Sequence, residues 1–145
     1  MIESRRGGET VRYTLPTRFT ALWAVAACSG EPAARAVILQ PADGDTLGTE
    51  VRVVLGAEGV EVVAADGQRV AGRGHHHLFI DTDPTPPGAP IPAGVPGIVH
   101  LGTGVGEWTA SGLAPGEHRI IAVLAYGDHT PMEGVATDTV RVVVR

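Results

Sequence analysis

Residues 117–126 read EHRIIAVLAY, and this nearly unbroken apolar run is typical of a central β-strand covered on both faces. Other short runs rich in β-branched or apolar residues lie at 36–40 (AVILQ), 50–57 (EVRVVLGA), 75–81 (HHHLFID) and 139–144 (TVRVVV). Turn signals separate such runs about every 8–12 residues, and no helical period follows Cys28. The pattern predicts an all-β chain of seven or eight strands folded as an antiparallel β-sandwich. We favour the immunoglobulin-like class, with a jelly-roll-type barrel as the alternative.

Two segments between these runs carry specific expectations. Residues 61–64 and 68–71 flank the turn signal Asp66-Gly67, which predicts a β-hairpin. Residues 83–97 contain six prolines and three glycines, which exclude both a helix and a central strand. This Pro-rich segment is therefore predicted to be a long surface loop, and loops of that length are usually functional or mobile.

The composition excludes several classes of protein. The chain has 145 residues, which suits one domain, and we expect that domain to span residues 36–145. All 11 basic residues are arginine and the net charge is -5, so no nucleic acid is expected as a partner. A single cysteine excludes an intramolecular disulfide framework and a Cys-rich metal site. Any chemistry must therefore come from histidine, carboxylate or hydroxyl groups.

The N-terminal segment has the layout of an export signal. Residues 19–27 (FTALWAVAA) form an apolar run that is too short to span a bilayer, with arginines before it and small residues after it. The string VAAC at 25–28 resembles the lipobox of bacterial lipoproteins, in which the cysteine is lipidated. We therefore expect a signal peptide at 1–27, a lipidated Cys28 with a tether over 28–35, and anchoring at the periplasmic or extracellular face of the cell envelope. A buried N-terminal helix with a free thiol is the alternative.

Six histidines, all after residue 74, carry the main functional signal. His75 and His77 share one face of their predicted strand at a Cα separation of roughly 7 Å, so their imidazoles can converge on one ion. Imidazole suits Cu(II) and Zn, and carboxylates could complete the ligand shell. The predicted metal ligands are His75, His77, His100, His118, His129, Asp81 and Asp128. His76 faces the other way, and we expect it to be a core imidazole with both nitrogens hydrogen-bonded.

Several strings together carry a resemblance to a known family. They are GHHHLFID at 74–81, IP at 91–92, HLGTG at 100–104, LAPGEH at 113–118 and GDH at 127–129. This combination resembles the domain-of-unknown-function 4399 group, whose members are small bacterial envelope domains, often behind a signal peptide. The resemblance covers about residues 51–144. It implies the fold, the envelope location and the histidine cluster, whereas the family supplies no established activity.

Three functions fit these observations. The first is an extracytoplasmic, membrane-anchored protein that binds copper or zinc through the histidines for storage, delivery or sensing. The alternative is a non-catalytic envelope binding or assembly module with structural histidines, in which the Pro-rich loop contacts an envelope protein. A metal-dependent enzyme would need an open coordination position and a general base such as Glu107, Asp81 or Asp128. No catalytic motif in the sequence supports this third function independently, so we rank it last.

Overall fold

The structure is a computed structural model that describes residues 33–145. The predicted signal peptide, Cys28 and most of the predicted tether lie outside these residues. The described strands are β1 (Arg35–Gln40), β2 (Thr46–Leu47), β3 (Glu50–Glu58), β4 (Glu61–Val62), β5 (Arg73–Ile80), β6 (Ile98–Leu101), β7 (Glu107–Ser111), β8 (Gly116–Ala125) and β9 (Asp138–Val144). No helix within residues 33–145 is long and apolar enough to cross a membrane.

Two packed sheets make up the fold. The small sheet has the order β1-β3-β7, and the large sheet has the order β2-β9-β8-β5-β4, with β6 also pairing β5. All the longer strand pairs are antiparallel, and the two-residue strands β2 and β4 pair in parallel with β9 and β5. The orders β1-β3-β7 and β9-β8-β5 match the A-B-E and G-F-C arrangement of immunoglobulin domains. This confirms the predicted antiparallel β-sandwich of immunoglobulin-like class.

Strand β5 is buried on both faces because the domain has two apolar cores. Leu78 points between the sheets, where it packs in the main core with Val53 and Ile120. Phe79 points to the outer face of the large sheet, into a second core that Ile91 helps to form. Burial on both sides explains why β8, the neighbour of β5, is apolar without alternation, as its sequence predicted.

The Pro-rich segment 83–97 contains no strand or helix, which confirms the predicted loop. Its Ile91 side chain is only 4% exposed and covers the outer face of the large sheet. The Ile91 N–H also donates to the His129 carbonyl at 2.9 Å. The loop is therefore attached to the sandwich at its middle.

The predicted hairpin of 61–64 with 68–71 is wrong. Strand β4 pairs in parallel with the start of β5, and residues 68–71 form no strand. The backbone between them bonds to distant segments: the Ala65 N–H donates to the Gly102 carbonyl at 2.9 Å, and the Gly67 N–H donates to the Gly127 carbonyl at 3.0 Å. These long-range bonds replace the local ladder that the Asp-Gly turn signal suggested.

His76 occupies the main core as predicted, but the predicted hydrogen bonds are wrong. Its side chain is fully buried between the cross-strand neighbours Leu101 and Leu124. Within the described part of the chain, neither Nδ1 nor Nε2 of His76 has a hydrogen-bond partner. Burial lowers its pKa to about 4, so the ring is neutral at pH 7.

Candidate metal centre

Four histidines gather on the outer face of the large sheet. His75 and His77 project from β5, His100 lies directly opposite His77 on β6, and His129 follows β8. The six distances between their ring centroids range from 4.6 to 5.8 Å. We refer to His75, His77, His100 and His129 as the four-histidine cluster. The structure thus brings together four of the seven predicted ligands.

Three histidines of the cluster have ring nitrogens close enough together to share a metal ion. His75, His100 and His129 each offer one nitrogen, and these three atoms all lie within 4.8 Å of one another. The Nε2 atoms of His75 and His77 are 3.0 Å apart. Two imidazole nitrogens bound tetrahedrally at 2.0–2.1 Å from one ion would be about 3.3 Å apart. Small shifts of the rings would therefore suffice to hold one ion.

A tight hairpin with a strained backbone at His129 positions this residue in the cluster. The chain turns back after β8 in a tight hairpin, in which the His129 N–H donates to the Tyr126 carbonyl at 2.8 Å and the Tyr126 N–H donates to the Thr130 carbonyl at 2.9 Å. A three-residue hairpin loop of this kind usually has glycine at its left-handed position. Here that position is His129, with φ of 68°. Strain of this kind is typical of functional sites.

A glycine makes room for the His100 ring. A Cβ atom at Gly102 would collide with the His100 imidazole, so a larger residue there would displace the ring. His100 is the exposed member of the cluster, while His129 is half-buried. The opening of the cluster to solvent lies on the side of these two rings.

His75 and His77, the two cluster histidines on β5, are neutral and have few hydrogen bonds. Burial, assisted by the neighbouring imidazoles, lowers the pKa of His75 to about 4 and that of His77 to about 3. Neutral imidazole is the form that binds metals. In residues 33–145 the Nδ1 atoms of both rings are buried without a hydrogen-bond partner. His75 and His77 therefore present unprotonated nitrogens at pH 7.

Comparison with known protein families places this site in a family context. A family model described as a domain of unknown function (DUF4399) matches residues 53–145, which include all four histidines of the cluster. The chain belongs to the DUF4399 family. Neither the curated proteins nor the solved structures gave a match. Membership confirms the resemblance carried by the histidine strings, and the family description names no ligand or activity.

His118 and Asp81 of the DUF4399 domain lie away from the four-histidine cluster, at the other end of β5. The His118 Nδ1 is 2.7 Å from Asp81 Oδ2, and the His118 Nε2 donates to the Ala114 carbonyl at 2.8 Å. These two bonds, first that to Ala114, raise the pKa of His118. Both partners are acceptors, so the protonated ring satisfies both. The two side chains are hydrogen-bonded at the end of the strand, and they form an ion pair whenever His118 is protonated.

The other acidic candidates in the DUF4399 domain are held by arginines. Asp128 precedes His129, but its Oδ2 accepts from the Arg69 Nη2 at 2.9 Å, and its Oδ1 accepts from the Thr130 N–H at 3.0 Å. Glu107 makes a two-bond pair with Arg52 on the small sheet, at 2.6 and 2.9 Å. The structure does not bring the carboxylates of Asp81, Asp128 or Glu107 into the cluster.

Asp66 is the acidic residue that the sequence analysis missed. Its Oδ1 accepts from the Gln68 N–H at 2.9 Å and packs so tightly on Gly127 that a Cβ atom there would collide with it. Its negative charge also reaches His75, where it opposes the lowering of the pKa by burial. The sequence shows Asp66 only as part of a turn signal, because Gly102 and Gly127, to which the backbone of its loop bonds, are more than 30 residues away along the chain.

Proposed function

We propose that this protein binds one Cu(II) or Zn(II) ion at the four-histidine cluster, for storage, delivery or sensing of the metal. The observation that carries the proposal is the convergence of four imidazoles from three distant segments, with three of them offering nitrogens within 4.8 Å of one another. Imidazole nitrogen is a preferred ligand of both ions. The shared donor type supports the class of metal and leaves Cu(II) and Zn(II) as two arms of the test.

The hydrogen bonding of the cluster supports a metal site over a purely structural role. Buried structural histidines normally have their nitrogens satisfied. Within residues 33–145, the one hydrogen bond between ring nitrogens of the cluster is that between the Nε2 atoms of His75 and His77. Both rings lose their hydration on burial, and His129 is also held in a strained backbone conformation. Metal binding would offset these costs, since a bound ion stabilises the folded state.

We also propose that the protein acts outside the cytoplasm, tethered by a lipid on Cys28. This part of the proposal is supported by the apolar run and the VAAC string of residues 19–28 and by the arginines that precede them. Metabolic labelling with a radioactive fatty acid in a bacterial host tests the lipid tether directly. Label on the wild-type chain but not on a Cys28→Ala variant is expected, and equal labelling of both would contradict the tether.

Thermal unfolding with and without metal tests the metal site. We expect stoichiometric Cu(II) or Zn(II), but not Mg(II), to raise the unfolding midpoint of the metal-free protein. A free ion concentration about 100 times the Kd stabilises the folded state by about 2.7 kcal/mol. A His100→Ala variant should lose this rise because it lacks one of the ligands. His100 is exposed, so its removal leaves the buried rings in place.

A His118→Gln variant is the matched control, because His118 belongs to the ion pair with Asp81. Its own metal-free midpoint is the reference for its metal-dependent rise, which should equal that of the wild type. No selective rise in the wild type, or an equal rise in the His100→Ala variant, would contradict the proposed site and favour structural histidines.

A further inference from the structure

The Nδ1 atom of His75 is a buried polar group without a partner among residues 33–145. The Nε2 atom of the same ring lies 3.0 Å from the His77 Nε2, so Nε2 points into the cluster. A histidine that binds a metal through Nε2 carries a proton on Nδ1, and this N–H almost always donates to a carboxylate, a carbonyl or water. The metal-bound form of His75 therefore needs an acceptor that the metal-free structure does not supply.

Asp66 lies on a loop that is attached to both neighbouring ligand segments. The residue before it bonds to Gly102, two positions after His100, and the residue after it bonds to Gly127, two positions before His129. These two backbone bonds, at 2.9 and 3.0 Å, fix the position of the loop relative to both ligands. The absence of a side chain at Gly127 lets the carboxylate approach the hairpin.

One oxygen of the Asp66 carboxylate is available for another bond. Oδ1 accepts from the Gln68 N–H, whereas Oδ2 has no hydrogen-bond partner among the described residues. The carboxylate packs against Gly127, which lies two positions after Ala125, the β8 residue that pairs with His75. By contrast, Asp128 and Asp81 are engaged by Arg69 and His118.

We propose that Asp66 is a positioning residue of the metal site, whose Oδ2 accepts the Nδ1–H of His75 when an ion is bound; this rests on the metal-binding function proposed above. The bond would fix the tautomer of His75 with its Nε2 lone pair directed at the ion. It would also strengthen that nitrogen as a ligand. The carboxylate would in addition bring negative charge to a dication that is otherwise held by neutral imidazoles.

The substitution Asp66→Asn tests this role with little structural change. An asparagine can still accept from the Gln68 N–H through its Oδ1, but it replaces Oδ2 by an NH₂ group that cannot accept from His75. We expect the affinity for Zn(II), measured in competition with a chromophoric chelator, to fall about 10–100-fold, as is usual for loss of such a partner. The unfolding midpoint of the metal-free variant should stay close to that of the wild type.

The substitution Asp128→Asn is the matched control. It removes the same charge at the residue next to His129, from a carboxylate that Arg69 already holds. We expect little change in its Zn(II) affinity. Equal losses in the two variants would show a general charge effect and would overturn the role of Asp66.

A spectroscopic measurement separates positioning from a merely structural effect. With ¹⁵N-labelled histidine and bound Zn(II), the wild type should show a His75 Nδ1–H proton protected from exchange, and Asp66→Asn should lose that protection. A wild type that fails to bind Zn(II) or Cu(II) would overturn the proposed function itself. A wild type that binds while Asp66→Asn shows the same affinity and the same protected proton would overturn only the inference about Asp66.

Discussion

The strained backbone at His129 gives a prediction that separates the effect of the backbone on stability from the loss of a metal ligand. His129 occupies the left-handed position of its hairpin, with φ of 68°. Glycine adopts this conformation freely, whereas alanine is subject to the same steric strain as histidine. We therefore compare His129→Gly with His129→Ala, both of which remove the imidazole. The two variants differ only in the side-chain methyl group and in its effect on the backbone.

The expected difference follows from two opposing terms. The left-handed conformation costs an L-residue about 1–2 kcal/mol, which the His129→Gly variant does not incur. Glycine in turn loses more conformational entropy on folding than alanine, by about 0.5–1 kcal/mol. The His129→Gly variant should therefore be more stable than the His129→Ala variant, by up to about 1.5 kcal/mol. At positions with ordinary negative φ the order is reversed, so the sign alone is informative.

Urea unfolding of the metal-free variants in the presence of a chelator measures this difference, and a shift in midpoint without a change in slope marks a true stability effect. Both variants should also lose the Zn(II)-dependent rise in midpoint, because each lacks the His129 ligand. A His129→Ala variant more stable than His129→Gly, which is the order expected at negative φ, would refute the left-handed conformation. A full Zn(II) response in either variant would refute the assignment of His129 as a ligand.

Three further predictions follow from the same structure. The substitution His76→Leu should raise the free energy of unfolding by about 1–3 kcal/mol, because it removes two buried nitrogens that have no partner among the described residues. It should leave Zn(II) affinity unchanged, and a lower urea midpoint would contradict the prediction. The substitution Gly102→Ala should weaken Zn(II) binding about tenfold by displacing the His100 ring. The control Gly48→Ala, where the added Cβ atom meets no other atom, should not weaken it. Equal affinities of the two variants in a chelator competition would count against the Gly102 contact. The metal-free protein should lose stability as the pH falls below about 6.5. His75, His76 and His77 then take up protons in the unfolded chain but not in the folded one, where their pKa values are about 4, 4 and 3. Urea midpoints that stay constant between about pH 7 and pH 5 would contradict this prediction.

The periodicity of the sequence was sufficient to predict the sandwich and the two faces of β5. Alternation along a strand places His75 and His77 on one face and His76 on the other, and the structure has this arrangement. The apolar run of β8 indicated a strand that is buried on both faces, and the second core around Phe79 buries its outer face. These features depend on neighbours along the chain, which the sequence displays directly.

Membership of the cluster depends on strand register, which the sequence does not display. Antiparallel pairing sets His77 opposite His100 on β6 and sets His75 opposite Ala125 on β8. The same register places His118 level with the end of β5, far from His75, although it lies on the neighbouring strand. Asp66 was missed for a related reason, since the bonds that hold its loop run to Gly102 and Gly127 instead of to a local hairpin partner.

The distance along the chain between the ligands has a consequence for how a metal ion would act on the fold. In the unfolded chain only His75 and His77 stay close, whereas His100 and His129 join them only through the pairing of β6 with β5 and through the hairpin after β8. An ion held by all three segments therefore binds the folded state preferentially and stabilises it. The stabilisation by the ion should be greatest at the hairpin, because the left-handed conformation of His129 destabilises the hairpin in the metal-free state. The His129 carbonyl also accepts from the Ile91 N–H, so a bound ion would be expected to hold the middle of the Pro-rich loop in place as well.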